Sequence, residues 1–166
     1  MTTYNPFTSY KPECAIDFIR NEEGCKLKAY LCPAGKWTIG YGHTAGVTEG
    51  MAISQAHAEE LLRADVIDCA GRMASYIKVP VTKWQYIALV SLSFNVGDLR
   101  RKAPKLLHYL NSHQEDKCAH EFLDIGLVKK RDSKGNVVYD DAGHIIYSHS
   151  RGLSLRRKKE SEFFLR

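Results

Sequence analysis

The sequence predicts a single mainly helical α+β domain, and three observations predict it. Apolar residues recur at helical spacing through most of the chain after Ser54, a β-forming and glycine-rich stretch is confined to positions 25–43, and no linker, repeat or low-complexity run divides the 166 residues. A chain of this length fills one core rather than two. Hydrophobic residues make up 44% and charged residues 26%, which excludes wholesale disorder and collagen-like or disulfide-dense classes.

Residues 1–11 are polar and aromatic without periodicity. Pro12 can open a helix with Ala15, Ile16 and Ile19 on one face and Gly24 at its end. From 25 to 43 the pattern changes to Leu27, Tyr30 and Leu31, a Pro33-Ala34-Gly35 turn, and Trp37-Thr38-Ile39-Gly40-Tyr41-Gly42, which predicts a small, strongly turned sheet. Ser54 is placed to cap a long helix that carries Leu62, Val66, Ala70, Met73 and Ile77 across the molecule until Val79-Pro80 closes it. Thr82 followed three residues later by Gln85 is a capping-box signal for a central buried helix with Ile87, Leu89, Val90 and Leu92. Shorter helical patterns occupy 104–111 (Leu106, Leu107, Leu110) and 114–124 (Cys118, Phe122, Leu123). The period then lapses. Val137-Val138-Tyr139 and Ile145-Ile146-Tyr147 flank the turn-like Asp140-Asp141-Ala142-Gly143, which reads as a β-hairpin at about 137–147 with no assignable role. A last helix over 152–165 contains Arg156, Arg157, Lys158 and Lys159 in a row.

The formal charge of +5 favours an anionic partner: nucleic acid, a bacterial surface polymer or acidic phospholipid. Five cysteines, at 14, 25, 32, 69 and 118, are an odd number, so reduced thiols are expected rather than a paired secreted framework. No stretch approaches the roughly 18 apolar residues of a membrane span, and the first residues lack a charged head and apolar core, so neither anchor nor export signal is expected.

Chemistry concentrates between Glu23 and His43. A carboxyl at the last turn of a helix, beside its negative dipole end and against apolar residues, is disfavoured in its charged form, which suits a general acid. The hairpin that follows can aim Cys32 and Thr38 across a cleft, where a thiol and a hydroxyl can orient water. A turned chain could also bring Cys25 and Cys32 within the roughly 4.4 to 6.8 Å Cα separation of a disulfide.

Glu23, eight residues, Cys32, five residues, Thr38, then Ile39-Gly40-Tyr41-Gly42-His43 resembles the phage-type lysozyme (endolysin, muramidase) family. Two further blocks follow in the same order: Ala88-Leu89-Val90-Ser91-Leu92-Ser93-Phe94-Asn95-Val96-Gly97 is similar to the end of the family's central helix, and Gly152-Leu153-Ser154-Leu155-Arg156-Arg157-Lys158-Lys159-Glu160 resembles its C-terminal signature. The resemblance spans about 12–165. It implies a two-lobed fold over 1–166, with an N-terminal sheet lobe at 12–60 and a helical lobe at 61–166, and a glycan in the cleft. It implies cleavage of the β-1,4 bond between N-acetylmuramic acid and N-acetylglucosamine, with Glu23 protonating the leaving oxygen while Cys32 and Thr38 place water for an inverting displacement. Phe94 and Asn95 are then candidate glycan contacts, against core Phe and helix-ending Asn. The positive charge meets the stem-peptide carboxylates of peptidoglycan, with no nucleic acid, cofactor or metal, in a monomer.

Many family members carry Asp at the position of Cys32. A thiol with reference pKa about 8.5 is only a few per cent ionised at pH 7, so Cys32 is expected to orient water, and Asp to be tolerated in its place. Cys25 and Cys32 also resemble a pair that, in some members, forms a regulatory disulfide capturing the catalytic cysteine. The resemblance implies a lytic phage or prophage enzyme, made in the host cytoplasm, released by a holin-type membrane partner and acting on the periplasmic wall. An antibacterial effector would look the same.

Each residue has a plainer reading. Glu23 could be a solvated acid at a helix end, with Glu22 beside it as the expected surface control. His43 is read as a structural hydrogen-bonding group near the site rather than a base or metal ligand. Cys118 and His120 lack zinc spacing. The run 156–159 reads as a solvated face rather than a nucleic-acid stripe, or as a tie between the helix and the cleft. Against the hydrolase stand a non-catalytic glycan-binding module and a cysteine peptidase or amidase built from Cys32 and His43, for which no orienting Asn or Asp is signalled.

Overall fold

Pro12 fixes the first turn of a short 3-10 segment, Pro12–Ala15, which runs into α1 (Ile16–Glu22) and turns Ala15, Ile16 and Ile19 into the core. The computed structural model describes residues 2–32, 34–125, 127–130, 132–134, 136–149 and 151–166, without the side chains of 127–129, 147 and 149. After α1 the antiparallel pair β1 (Lys26–Leu31) and β2 (Trp37–Gly40) forms the expected small sheet, with Tyr30 opposite Thr38 and Leu31 opposite Trp37. Its far end is closed by a tight Ile39 to His43 bridge. Gly40 and Gly42 take φ of 62° and 98° there, a left-handed conformation that side chains resist, and Gly40 also sits against Ala58 of the next helix.

Ser54 caps α2 (Gln55–Met73) by accepting the His57 N–H, and Leu62, Val66, Ala70 and Met73 are buried. The helix stops at Met73 instead of running on toward Ile77. Tyr76 and Ile77 both donate to the Met73 carbonyl at 3.1 Å, and Asn111 reaches across to the Tyr76 carbonyl and the Lys78 N–H, so a tertiary contact replaces the next helical turn.

α3 (Lys83–Val96) is the central element, with residues 85–93 all buried. The capping box forms in both directions at 3.0 Å between Thr82 and Gln85. A four-residue helix that periodicity is too short to reveal, α4 (Leu99–Lys102), precedes α5 (Pro104–Asn111) and α6 (Glu115–Asp124). The chain ends in α7 (Arg151–Phe164), which packs along α3 and α6 and places Phe164 5.5 Å from Phe122.

The hairpin expected at 137–147 forms about its expected turn, with Tyr139 opposite Ile145 and the Ile146 N–H donating to the Val138 carbonyl, and the structure adds further pairing to it. The strands proper are β3 (Leu127–Lys129) and β4 (Tyr147–His149), and the expected turn is closed by a single Tyr139 to Ile145 bridge. Val138 donates to Lys130 and Ile146 donates to Val138, so the 137–139 segment lies between two neighbours. β-propensity located the turn but not the third strand, whose partner is set by long-range hydrogen bonding.

Candidate active site

α1 ends because Glu23 takes ψ 136° while its N–H still bonds the Ile19 carbonyl at 2.9 Å. This leaves the Glu23 side chain 22% exposed at the junction of α1, the β-hairpin and α7. Its nearest partner is a guanidinium rather than the expected apolar surroundings: Arg156 Nη1 donates to Glu23 Oε1 at 2.5 Å. Arg156 is buried, and its Nε donates to Glu160 Oε1 at 3.1 Å while Nη2 reaches the Ser91 carbonyl and hydroxyl at 3.2 Å. The first half of the basic run is therefore core and only its second half is solvated, because α7 turns residues 156 and 157 against α3. Glu22 is corrected too: its carboxylate is largely covered and pairs with Lys159 Nζ at 2.6 Å.

On the hairpin, Tyr30 and Thr38 are cross-strand partners and share a face, and alternation puts Cys32 on the face of Tyr30. Thr38 is buried and donates to the Lys36 carbonyl at 3.0 Å. The turn is drawn tight by Cys32 N–H to the Lys36 carbonyl at 2.9 Å and Gly35 N–H to the Cys32 carbonyl at 2.8 Å. Backbone hydrogen bonds from Lys36 and then Ala34 hold the Cys32 thiol below its ordinary pKa against the opposing effect of burial, with lesser help from the Thr38 hydroxyl and the Lys36 charge. Burial pushes the Tyr30 phenol up, and the charges of Cys32 and Glu23 add to this, so Tyr30 lies within electrostatic reach of both. The sequence reading named Tyr30 only as a strand former; its two-residue offset from Cys32 was the available signal. The run 156–159 is readable as a tie to the cleft, but a contact over 133 residues leaves no local pattern to show that Arg156 makes it through Glu23.

The Cys25 to Cys32 disulfide is not formed: both are free thiols, at the two ends of β1. His43 Nδ1 lies 2.8 Å from Asp65 Oδ2 and Nε2 lies 3.0 Å from the Ala45 carbonyl, so its ring ties the end of β2 to α2. Phe94 is half-buried and lines a polar cavity with His43, Asp65, Arg72 and Gly97. Asn95 instead accepts from Arg157 Nη2 at 2.6 Å. Among the described residues no group of three or more His, Cys, Asp or Glu side chains is arranged to hold a metal ion.

The family described as phage lysozyme matches residues 20–160, covering the acid, the β1–β2 hairpin and α7 as far as Glu160. The chain belongs to that family. It is 40% identical over 111 residues to an endolysin of Acyrthosiphon pisum secondary endosymbiont phage 1, covering 67% of this chain and 76% of the relative. An endolysin of Bacillus phage B103 is 38% identical over 156 residues, covering 92% of this chain but 53% of the relative, so the chain spans about half that protein's length. Among solved structures, an endolysin from Escherichia coli O157:H7 phage FAHEc1 superposes with a TM-score of 0.72 at 31% identity, covering 92% of this chain and 90% of that one. Membership in the phage lysozyme family bears out the two-lobed, mainly helical fold and the phage cell-wall hydrolase class expected from the three motif blocks.

Proposed function

We propose that this phage lysozyme family member is a muramidase that cleaves the β-1,4 bond between N-acetylmuramic acid and N-acetylglucosamine, with Glu23 as general acid and Cys32 and Thr38 placing water on the opposite face of the sugar. The observation that carries this reading is that α1 ends on Glu23, which Arg156 of α7 grips, and leads directly into the hairpin on which Tyr30 stands opposite Thr38 with Cys32 two residues further on. Glu23 protonates the leaving oxygen. The thiol of Cys32, favoured toward its anion by the turn's backbone hydrogen bonds, and the hydroxyl of Thr38 orient the attacking water. Neither is a carboxylate placed to form a glycosyl-enzyme intermediate, so the displacement inverts the anomeric centre. The excess positive charge suits an anionic wall polymer bearing stem-peptide carboxylates.

A peptidase built from Cys32 and His43 is disfavoured, because both His43 ring nitrogens are engaged by Asp65 and Ala45. Among the described residues no helix is long and apolar enough to cross a membrane. The endolysin relatives support host lysis as the biology of this reading: synthesis in the bacterial cytoplasm, release by a holin-type partner, and action on the wall as a monomer.

The test is turbidity loss of purified Gram-negative peptidoglycan with the wild type and Glu23→Gln, followed by mass analysis and NMR of the soluble products. Muropeptides with an N-acetylmuramic acid reducing end of inverted configuration from the wild type, and none from the variant, are expected. Free stem peptides would refute the glycosidase, and retained configuration would refute the assigned roles of Cys32 and Thr38.

A further inference from the structure

We propose that Glu160 is a positioning residue for the Glu23 site: it aims the Arg156 guanidinium at the acid and balances the second buried cation, Arg157. This rests on the reading of Glu23 as the acid. Three ionic side chains of α7, Arg156, Arg157 and Glu160, are buried at 4%, 1% and 0% exposure against α3. Such burial needs a reason, since a buried ion pair is by itself weak evidence for stability.

The geometry divides Glu160 into two halves. Its Oε1 accepts from Arg156 Nε at 3.1 Å and from the Ser91 hydroxyl at 2.6 Å, and Ser91 in turn accepts from Arg156 Nη2 at 3.2 Å. A flexible arginine is thereby held at Nε and Nη2, leaving Nη1 directed at Glu23 Oε1. The other half, Oε2, lies 2.7 Å from Arg157 Nη1 but without hydrogen-bond alignment, so charge holds that contact. Burial pushes the Glu160 carboxyl up and the Arg157 guanidinium down, while their mutual attraction opposes both. An arginine starts about eight pH units above a glutamate, so within the pair the proton stays on Arg157.

With both glutamates ionised the array is neutral: Glu23 and Glu160 against Arg156 and Arg157. On the hairpin side the charge of Glu23 reaches Tyr30, which also feels Cys32; Glu23 meets the neutral Ser91 of α3 through Arg156, and its neighbour Glu22 is neutralised by Lys159. Glu160 is the anion among these groups that contacts both arginines. Without it two cations act on a single carboxylate, which then gives up its proton at lower pH.

The experiment is the pH–activity profile on purified peptidoglycan for the wild type, Glu160→Gln, Glu160→Asp, Arg157→Gln and Glu23→Gln, with folding checked by circular dichroism. Glu160→Gln is expected to move the alkaline limb down by about one pH unit, lowering activity at neutral pH about tenfold while sparing acidic pH. Glu160→Asp keeps the charge and restores most of the limb. Arg157→Gln moves the limb up, because Glu160 is then left to neutralise Arg156, and this variant carries the test if Glu160→Gln does not fold. A uniform loss at every pH, or limbs that stay in place or move together in Glu160→Gln and Arg157→Gln, overturns the proposal while the acid reading stands. Activity retained by Glu23→Gln would overturn the acid reading itself, and with it this inference.

Discussion

Replacing Arg156 by Met keeps much of the side chain's apolar bulk and removes its charge. In the native structure its guanidinium, 4% exposed, is shared among Glu23, Glu160, the Ser91 hydroxyl and the Ser91 carbonyl. Met strands two carboxylates, one of them at 0% exposure with Arg157 as its remaining cation. Removing one partner of a buried ionic network typically costs about 3–5 kcal/mol, because the charges left behind stay desolvated. For a domain of this size each kcal/mol lowers Tm by roughly 2–4 °C, so the expected drop is about 6–20 °C. Thermal unfolding followed by circular dichroism at pH 7 measures it. The matched comparison is Lys159→Ala, which breaks an ion pair whose lysine is 56% exposed and should cost under about 1 kcal/mol. If Arg156→Met lowered Tm no more than Lys159→Ala, the array would contribute nothing through its burial and the reasoning would fail.

Thr82→Ala removes the acceptor of the Gln85 N–H at the start of the buried central helix and should destabilise by about 1 kcal/mol in urea titrations; an unchanged midpoint would show that the cap is redundant. Cys32→Asp should retain lysis of peptidoglycan while Cys32→Trp abolishes it, since the site needs a small water-orienting group; an inactive Asp variant would count against that role. Thiol alkylation should strike Cys32 first: its depressed pKa means the reactive thiolate accumulates as pH rises toward a point below the ordinary thiol range. Cys118, buried and pushed up to about 12, should stay unlabelled in the native state, and peptide mapping that finds Cys118 labelled as fast as Cys32 would contradict the assignment.

Much of this protein was legible from local pattern. Caps at Ser54 and Thr82, the apolar faces of α2 and α3, and the β-forming run around Gly40 act over a few residues, and short-range sterics and hydrogen bonding decide them. The spacing of Glu23, Cys32 and Thr38 was equally local, because a helix end and a tight hairpin convert sequence offsets directly into positions in space. Tertiary structure alone decided the rest. α2 yields at Met73 to a side chain of α5, and Val138 finds its neighbours in Lys130 and Ile146, just after β3 and just before β4. Cys25 and Cys32 stay free thiols at opposite ends of β1. A basic run that composition assigns to solvent instead places Arg156 and Arg157 in the core beside the acid. Each of these depends on which distant groups share a low-dielectric space, and burial changes the energy of a charge far more than its sequence neighbours do.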